Sequence, residues 1–326
     1  MNIVIVGAGS FGTALGNVLI KKDDLSVLLL ARNKETEHAI NKKHFNDRYF
    51  PNFRLDNRLR VSTDKSVLQK ANTVFLALPS TSVIEYVQQN KKYMDNEAVM
   101  VVLSKGFGKN NKTIVDSLRE IVSNPICSLK GPTFAADLIH NNPSAFTAAS
   151  AEESVIDSMR RIFKGTAMYL DYSNDIVGVE IASALKNIYA ILLGIIDAHF
   201  NSANVRFLIL TKAFHEMKNI VLLFGGSEET LYKYCGFGDF NLTALNDLSR
   251  NRTLGLLIGK GFLNNDTSNS IILEGIRTIN IVFNSRCIQN TTESAFPMLG
   301  ALYRLFNSDY SIHAFISDVF DSIKGS

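Results

Sequence analysis

Cysteine is scarce in this sequence, which limits how the chain can be cross-linked. Only three cysteines occur in 326 residues, at Cys127, Cys235 and Cys287. Three widely spaced cysteines in no paired motif predict neither a disulfide framework nor a zinc site, and they indicate buried thiols in a reducing compartment. A chain of this length that is 46% hydrophobic can bury its core without cross-links. We therefore expect a globular protein of two domains.

The sequence also lacks a strong net charge, a long apolar run and a metal motif. A formal net charge of +3 predicts no nucleic-acid partner, although it leaves room for a local basic pocket that accepts an anion. The longest apolar run, residues 188–196, is about half of what spans a bilayer, so no membrane insertion is expected. Residues 1–6 do not resemble a signal peptide, which favours the cytoplasm. His215–Glu216 lacks the second histidine of a zinc motif, and no metal is expected.

Strands and helices alternate along the first half of the chain. Short runs of β-branched and other apolar residues are typical of strands buried on both faces. The predicted strands cover residues 3–6, 25–30, 73–78, 99–103, 126–129, 144–148 and 167–172. The predicted helices among them cover residues 13–20, 82–89 and 111–122. This alternation predicts an α/β fold in which residues 1–175 form a parallel, doubly wound, Rossmann-like domain that binds a dinucleotide.

The pattern becomes helical in the second half of the chain. Apolar residues there recur at helical spacing, and no strand is predicted. The predicted helices cover residues 176–196, 205–224, 249–258, 270–286 and 313–323. We expect residues 176–326 to form an all-α substrate and catalytic domain, joined directly to the first domain by its first helix.

The segment GAGSFG places Gly7, Gly9 and Gly12 in the spacing of a dinucleotide-binding turn. In such a turn the first glycine permits a tight bend, the second lets the pyrophosphate approach the backbone, and the third lets the helix pack closely. The motif follows a predicted strand and opens a predicted helix, whose amide groups would stabilise the phosphates. The sequence therefore predicts a nucleotide site here, with a merely structural turn as the alternative.

Arg32 follows the second predicted strand, where an acidic residue would bind the ribose of NAD. An arginine suits the 2′-phosphate of NADP instead, although it could equally stack on adenine or lie in solvent. We expect NADPH to be the preferred cofactor and NAD to be used as well.

A second group of candidates combines basic residues with one acid. Lys105 lies at the carboxyl end of a predicted strand, where open α/β sheets bind ligands. Ser249 is placed to cap a helix whose first amides could receive an anion. The candidates are Lys105 in SKG, Lys186 in ALKN, Asp239 after GFG, and Ser249, Arg250 and Asn251 in SRNR.

These residue types suit hydride transfer from an alcohol that carries a phosphate. The reaction needs a group that removes the hydroxyl proton, and a lysine does this when burial and a nearby cation lower its pKa. Arg250 suits a phosphate because its guanidinium offers two parallel donors. Taken alone, however, each lysine is more often a surface charge, and the residues by themselves leave its role open.

Several motifs together resemble bacterial NAD(P)-dependent glycerol-3-phosphate dehydrogenases. They are GAGSFGTAL, SKG, GPTFA, GVE with ALKNIYAI, GFGDF, SRNR with a following glycine, and LEGIRT, in this order over nearly the whole chain. The resemblance implies an oxidoreductase that interconverts sn-glycerol 3-phosphate and dihydroxyacetone phosphate and feeds phospholipid synthesis in lipid metabolism. It also implies a small-molecule phosphorylated substrate and, as often in the family, a homodimer.

The resemblance further implies roles for individual residues. Lys186 would accept the proton, Lys105 would orient the substrate, and Asp239 would position Lys186 or a substrate hydroxyl. Besides the three glycines, the implied dinucleotide contacts are Ser10, Phe11, Arg32, Lys105, Ala135, Arg250, Leu273 and Glu274. The implied substrate contacts are Lys105, Gly131, Thr133, Lys186, Asp239, Ser249, Arg250 and Asn251, of which the last two would grip the phosphate.

The sequence departs from the family in places, and two rival functions stay open. Residues 197–204 read DAHFNSAN where the family is glycine-rich, and Phe240 and Lys212 replace a leucine and an arginine. We expect altered loop packing at residues 197–204, which would affect turnover rate more than reaction type. A dehydrogenase of 3-hydroxy acids would carry a carboxylate site in place of Arg250 and Asn251. A nucleotide-binding sensor would not require Lys186.

Overall fold

The computed structural model describes residues 1–262, 272–292 and 295–324. The chain divides into two compact units, Met1–Ile176 and Val177–Ser326. The first unit mixes strands and helices, and the second is entirely helical over its described residues. The start of the helix predicted from residue 270 lies outside the described residues.

An eight-stranded sheet forms the first unit. Its strands are β1 (Asn2–Val6), β2 (Ser26–Leu30), β3 (Arg60–Ser62), β4 (Thr73–Leu76), β5 (Val99–Val102), β6 (Ile126–Lys130), β7 (Ser144–Ala149) and β8 (Met168–Ser173). They lie in the order β3-β2-β1-β4-β5-β6-β7-β8, and β1 to β6 are parallel. Because the strand order reverses beside β1, this is the doubly wound, Rossmann-like arrangement that the sequence predicts.

The sheet is not wholly parallel, so this detail of the prediction is wrong. β7 runs antiparallel to β6, with Ser128 opposite Ala149, and β8 runs parallel to β7. The helix between β6 and β7 has only five residues. A parallel return needs a longer crossover, usually a full helix. Strand direction here depends on the connection, which the hydrophobic pattern of the strands does not reveal.

Six helices accompany the sheet, together with short 3-10 and π-helical turns. They are α1 (Ser10–Leu19), α2 (Lys34–His38), α3 (Ser80–Asn90), α4 (Ile114–Arg119), α5 (Ala135–Ile139) and α6 (Glu153–Phe163). Helix α6 was not predicted, although the sequence carries a signal for it. Its buried residues Val155, Ile156, Met159, Ile162 and Phe163 recur at helical spacing.

The second unit contains nine further described helices. They are α7 (Ile176–Phe200), α8 (Ala203–Leu223), α9 (Glu228–Leu231), α10 (Asp239–Leu245), α11 (Arg250–Gly259), α12 (Ile272–Phe283), α13 (Arg286–Gln289), α14 (Pro297–Asn307) and α15 (Ile312–Lys324). The predicted α/β fold followed by an all-α region is therefore confirmed.

Helix α7 is the apolar centre of this unit. Among the described residues it is the one helix that is long and apolar enough to cross a membrane. All of its most apolar window is buried inside the protein, and Tyr189 and Leu192 have no exposed surface. A largely apolar helix that is buried in this way is typical of the core of a large domain.

The segment 197–204 is not the loop that the sequence suggested. Helix α7 continues to Phe200, and α8 begins at Ala203. Asn201, with φ of 40°, turns the chain, and the Ser202 side chain accepts a hydrogen bond from the Val205 amide. The connection is therefore two residues long, and Asp197 belongs to the last turns of α7.

Candidate active site

The three positions of GAGSFG that carry glycine need it for different structural reasons. Gly7 has φ of 108°, and a Cβ added there would lie 2.4 Å from the carbonyl oxygen of Ala77. A Cβ at Gly12 would lie 2.0 Å from the carbonyl oxygen of Gly7. At Gly9, by contrast, a Cβ would meet no atom of the described chain within 4 Å. Packing requires the first and third glycines, whereas Gly9 faces open space of the kind that an approaching pyrophosphate needs.

Helix α1 presents its N-terminus at this turn. The helix begins at Ser10, three residues before the predicted start, and its N-cap is Gly9. No side chain in the described part of this unit caps the helix, so its first amides can receive an anion. Phe11 packs edge-on against Phe146, with ring centroids 6.2 Å apart. The turn therefore fits the phosphates of a dinucleotide.

Asn46, which was not predicted, contacts the glycine turn although it lies far from it in sequence. Its side-chain amide donates hydrogen bonds to the Ala8 carbonyl at 3.1 Å and to Thr13 Oγ1 at 2.8 Å. The residue is 5% exposed. A sequence pattern gives no signal for it, because it lies 33 residues from Thr13 in a segment with no predicted helix or strand.

Arg32 lies just beyond β2, beside the glycine turn. Its neighbour Ala31 is buried against the sheet, and Arg32 itself is exposed. Asn33 caps the following helix by accepting a hydrogen bond from the Thr36 amide at 2.9 Å. Arg32 is thus an exposed basic residue at the carboxyl end of β2, where sheets of this kind bind ligands.

Four further candidates follow the neighbouring strands β5 and β6, at the same edge of the sheet. Lys105 follows β5, and its Nζ donates a hydrogen bond to the carbonyl of Gly131, which follows β6, at 3.2 Å. Thr133 Oγ1 donates to the Ala145 carbonyl at 3.3 Å. Ala135 begins α5 and is exposed to an intermediate degree. The first unit therefore assembles the glycine turn and these residues along its carboxyl edge.

A buried lysine supports this edge and was also missed. Lys130 is 1% exposed, and its Nζ donates to the carbonyls of Val102 at 3.0 Å and Ser104 at 2.5 Å. Ser104 Oγ in turn donates to the Leu78 carbonyl at 2.5 Å. These bonds fix the backbone immediately before Lys105.

In the second unit, Lys186 and Asp239 meet although they are 53 residues apart. Lys186 lies in α7 and is 5% exposed, and Asp239 begins α10 and is 1% exposed. The Lys186 Nζ donates hydrogen bonds to Asp239 Oδ1 and, at 2.8 Å, to Thr243 Oγ1. Thr243 lies one helical turn after Asp239 and was not predicted. A buried lysine held by a carboxylate and a hydroxyl has a fixed position, which a group that transfers a proton needs.

Aromatic rings pack against one another on the helices that carry this ion pair and on α8. Phe240 has no exposed surface and stacks on Phe214, with centroids 6.0 Å apart. Tyr189, three residues after Lys186, meets Phe240 edge-on at 6.4 Å. Phe240, for which the resemblance implies a leucine, is therefore a core side chain. Low polarity around the pair strengthens the electrostatic interaction between its charges.

Helix α11 carries the proposed anion-binding residues. Ser249 is its N-cap, and the serine Oγ accepts a hydrogen bond from the Arg252 amide at 3.3 Å. Arg250 is exposed and Asn251 is exposed to an intermediate degree. A cationic side chain at a helix N-terminus can receive a phosphate.

Helix α12 supplies the last two candidates. Glu274 has intermediate exposure, and its carbonyl accepts a hydrogen bond from Thr278 Oγ1 at 2.8 Å. Leu273 belongs to α12, but its side chain lies outside the described residues. A Cβ at Gly275 would lie 2.9 Å from Asn251 Oδ1, so α12 packs closely against the start of α11. Over the described residues, no group of three or more His, Cys, Asp or Glu side chains could hold a metal ion.

Comparisons with known proteins indicate the same family along nearly the whole chain. Residues 2–156 match the family model for the N-terminus of NAD-dependent glycerol-3-phosphate dehydrogenase, and residues 175–317 match the model for its C-terminus. A glycerol-3-phosphate dehydrogenase [NAD(P)+] from Methanothermobacter thermautotrophicus is 33% identical over 99% of both chains. One from Halothermothrix orenii is 32% identical over 86% of this chain and 83% of its own. The crystal structure of glycerol-3-phosphate dehydrogenase from Coxiella burnetii is similar with a TM-score of 0.88, 25% identity and 98% coverage of both chains.

Proposed function

The chain belongs to the NAD-dependent glycerol-3-phosphate dehydrogenase family, and from this premise we propose which of its residues perform the reaction. It is an oxidoreductase that interconverts sn-glycerol 3-phosphate and dihydroxyacetone phosphate with NAD(P)(H). The glycine turn at residues 7–12 would hold the dinucleotide, which would supply the hydride chemistry of the reaction.

The proposal depends on one observation, the buried contact of Lys186 with Asp239 and Thr243. The Lys186 amine accepts the hydroxyl proton when the alcohol is oxidised, and its ammonium returns a proton to the ketone oxygen in the reverse direction. Asp239 and Thr243 hold the amine in place. This position matters because a general base works only within hydrogen-bonding distance of the proton that it removes. Lys105 orients the substrate and adds positive charge.

We propose that each unit supplies a defined set of ligand contacts. Residues 1–175 supply most of the dinucleotide contacts, and residues 176–326 supply the proton acceptor and the phosphate-binding groups. The proposed dinucleotide contacts are Gly7, Gly9, Ser10, Phe11, Gly12, Arg32, Lys105, Ala135, Arg250, Leu273 and Glu274. The proposed substrate contacts are Lys105, Gly131, Thr133, Lys186, Asp239, Ser249, Arg250 and Asn251.

We also propose NADPH as the preferred cofactor. Arg32 is exposed at the carboxyl edge of β2, where its guanidinium can pair with a 2′-phosphate. The relatives are named for use of NAD(P)+, which accommodates both cofactors.

A cytoplasmic location and a homodimer are further proposals. The cysteines form no disulfide over the described residues, which suits a reducing compartment. Cys127 and Cys235 are buried as expected, whereas Cys287 is only partly buried. The homodimer rests on the family resemblance, and light scattering of the purified chain measures it.

The test is the oxidation of NADPH, followed by absorbance, after addition of dihydroxyacetone phosphate. We expect turnover with this substrate and none with a 3-keto acid, which lacks the phosphate that Arg250 and Asn251 are proposed to bind. Folded protein that oxidises neither NADPH nor NADH would favour the nucleotide-binding sensor instead.

A further inference from the structure

Helices α7 and α11 touch through their backbones. A Cβ added to Gly194 of α7 would lie 2.3 Å from the carbonyl oxygen of Arg252 in α11. A Cβ added to Gly255 of α11 would lie 2.1 Å from the carbonyl oxygen of Ile191 in α7. Contact this close leaves the two helices little freedom to slide, because side chains cannot rearrange to absorb a shift.

A buried ion-pair network spans the same crossing. The Arg252 guanidinium donates to Asp197 Oδ2 at 2.5 Å, to the Ala244 carbonyl at 3.1 Å and to Asp247 Oδ1 at 3.0 Å. Arg206 donates to both oxygens of Asp197 at 2.8 Å. Arg252 and Asp197 are only 6% and 7% exposed. The Asp197 carboxylate is therefore held between two guanidinium groups.

The members of this network lie next to the residues assigned to catalysis. Arg252 follows Asn251 directly in the first turn of α11. Asp197 lies on the same helix as Lys186, eleven residues later, which is about three turns and returns it to the same face. Ala244 follows Thr243 in α10. The network thus joins the helix of the proton acceptor, the helix of its two partners and the start of the phosphate-binding helix.

We propose that Arg252 and Asp197 are positioning residues that fix the spacing between the Lys186 amine and the anion-binding start of α11. This inference rests on the proposed function. The spacing selects short phosphate esters whose reacting carbon lies a fixed distance from the phosphate. Because displacement of a reacting group by about 1 Å costs on the order of a hundredfold in rate, a loosened crossing reduces use of the substrate.

The test combines Arg252→Gln, Asp197→Asn and the double variant, assayed by steady-state kinetics with dihydroxyacetone phosphate and NADPH. Inorganic phosphate, added as a competitive inhibitor, reports the anion site separately. The control is Arg304→Gln, which removes an exposed ion pair to Asp318 in the same unit. Thermal unfolding of each variant reports the structural cost.

Each single variant should raise the KM for dihydroxyacetone phosphate and the inhibition constant of phosphate by about tenfold, and the KM for NADPH by less than about twofold. Arg252→Lys keeps the charge but lacks the several fixed donors of the guanidinium. Its constants should therefore lie between those of the wild type and those of Arg252→Gln. The double variant should be no worse than the poorer single variant, since the residues act as one pair. The Arg304→Gln control should keep wild-type constants.

If variants lose thermal stability but keep wild-type constants, the network is merely structural and the inference is wrong. Should the buried substitutions fail to fold, Arg206→Gln, at the more exposed side of Asp197, must still raise the phosphate inhibition constant by about threefold. An unchanged constant in that variant overturns the inference. An inactive wild-type protein would instead refute the proposed function, so the two failures are distinguishable.

Discussion

At the scale of single residues, this protein depends on charged groups that are removed from water. Lys186 and Asp239 are almost fully buried and contact each other. Removing one partner of such a pair leaves the other charge buried without compensation, which is more costly than the pair itself. Substitutions here are therefore expected to affect both chemistry and stability, and the two effects must be measured separately.

Replacing Lys186 by alanine should lower kcat by about 10²- to 10⁴-fold, because the general base is lost. Fluorescence titration should show that the Kd for NADPH changes by less than about twofold. Lys218→Ala is the matched control, since Lys218 pairs with Glu228 at 3.5 Å at a more exposed position of the same unit. Equal losses of turnover and dinucleotide affinity in Lys186→Ala would contradict the assigned role.

Glu216 is a buried acid outside the proposed reaction. Its carboxylate accepts hydrogen bonds from the Tyr189 hydroxyl at 3.0 Å and from the amides of Met298 at 3.0 Å and Leu299 at 2.8 Å. These three donors stabilise the charged form, but burial outweighs them and raises the pKa of Glu216 from 4.5 to about 7. The residue thus joins α7 and α8 to the start of α14.

Stability should fall as Glu216 ionises. Because its pKa is higher in the folded protein than in the unfolded chain, the contribution is fully present below pH 4.5 and is lost as pH rises through about 7. The free energy of unfolding of the wild type minus that of Glu216→Gln should therefore decrease between these pH values. Urea unfolding at constant ionic strength measures it, and a difference independent of pH would contradict the argument.

At the scale of elements, the second unit is held by close crossings of helices. Gly255 of α11 lies against the backbone of α7, as the distance from its added Cβ to the Ile191 carbonyl shows. Gly300 in α14 has no such neighbour among the described residues, because its nearest atom would be 3.7 Å from an added Cβ. Of these two helical glycines, Gly255 is therefore tightly packed and Gly300 is loosely packed.

Alanine substitution should distinguish these two glycines. Gly255→Ala should lower the free energy of unfolding by about 1–3 kcal/mol or more, because the methyl group displaces α7. Gly300→Ala should raise it by about 0.5–1 kcal/mol, since alanine favours a helix and finds ordinary contact distances. Chemical denaturation measures both. A stabilising Gly255→Ala would show that the crossing is looser than described.

At the scale of the whole molecule, the two compact units have different expected ligands. The first unit carries the glycine turn and Arg32, and the second carries Lys186 and the start of α11. A ligand that binds the folded state stabilises it by about 2.7 kcal/mol at a hundred times its Kd. Cofactor preference can therefore be measured through stability, without turnover.

NADPH at saturating concentration should raise the thermal midpoint of the wild type more than NADH does. Arg32→Ser should lose the part of the NADPH effect that exceeds the NADH effect and keep the NADH effect, because only the 2′-phosphate needs the guanidinium. Arg119→Ser, at an exposed ion pair with Asp116 in the same unit, is the control. Equal losses with both cofactors would place Arg32 at the adenine or the shared phosphates instead.

Local patterns in the sequence were sufficient for much of this protein. The glycine spacing, the buried strands and the helical periodicity each arise from neighbours along the chain, and they predicted the Rossmann-like fold, the helical second half and the family. Even α6, which was missed, carries its signal locally in residues such as Val155 and Met159.

Only the tertiary structure decided which distant groups meet. In the structure, β7 runs antiparallel to β6, and residues 197–200 belong to α7. Lys186 is hydrogen-bonded to Thr243, and Arg252 is hydrogen-bonded to Asp197. Such pairings depend on how helices and strands pack across tens of residues of intervening chain, and periodicity along the sequence does not record them. The sequence therefore predicted which residues react, while packing determined what holds these residues in place.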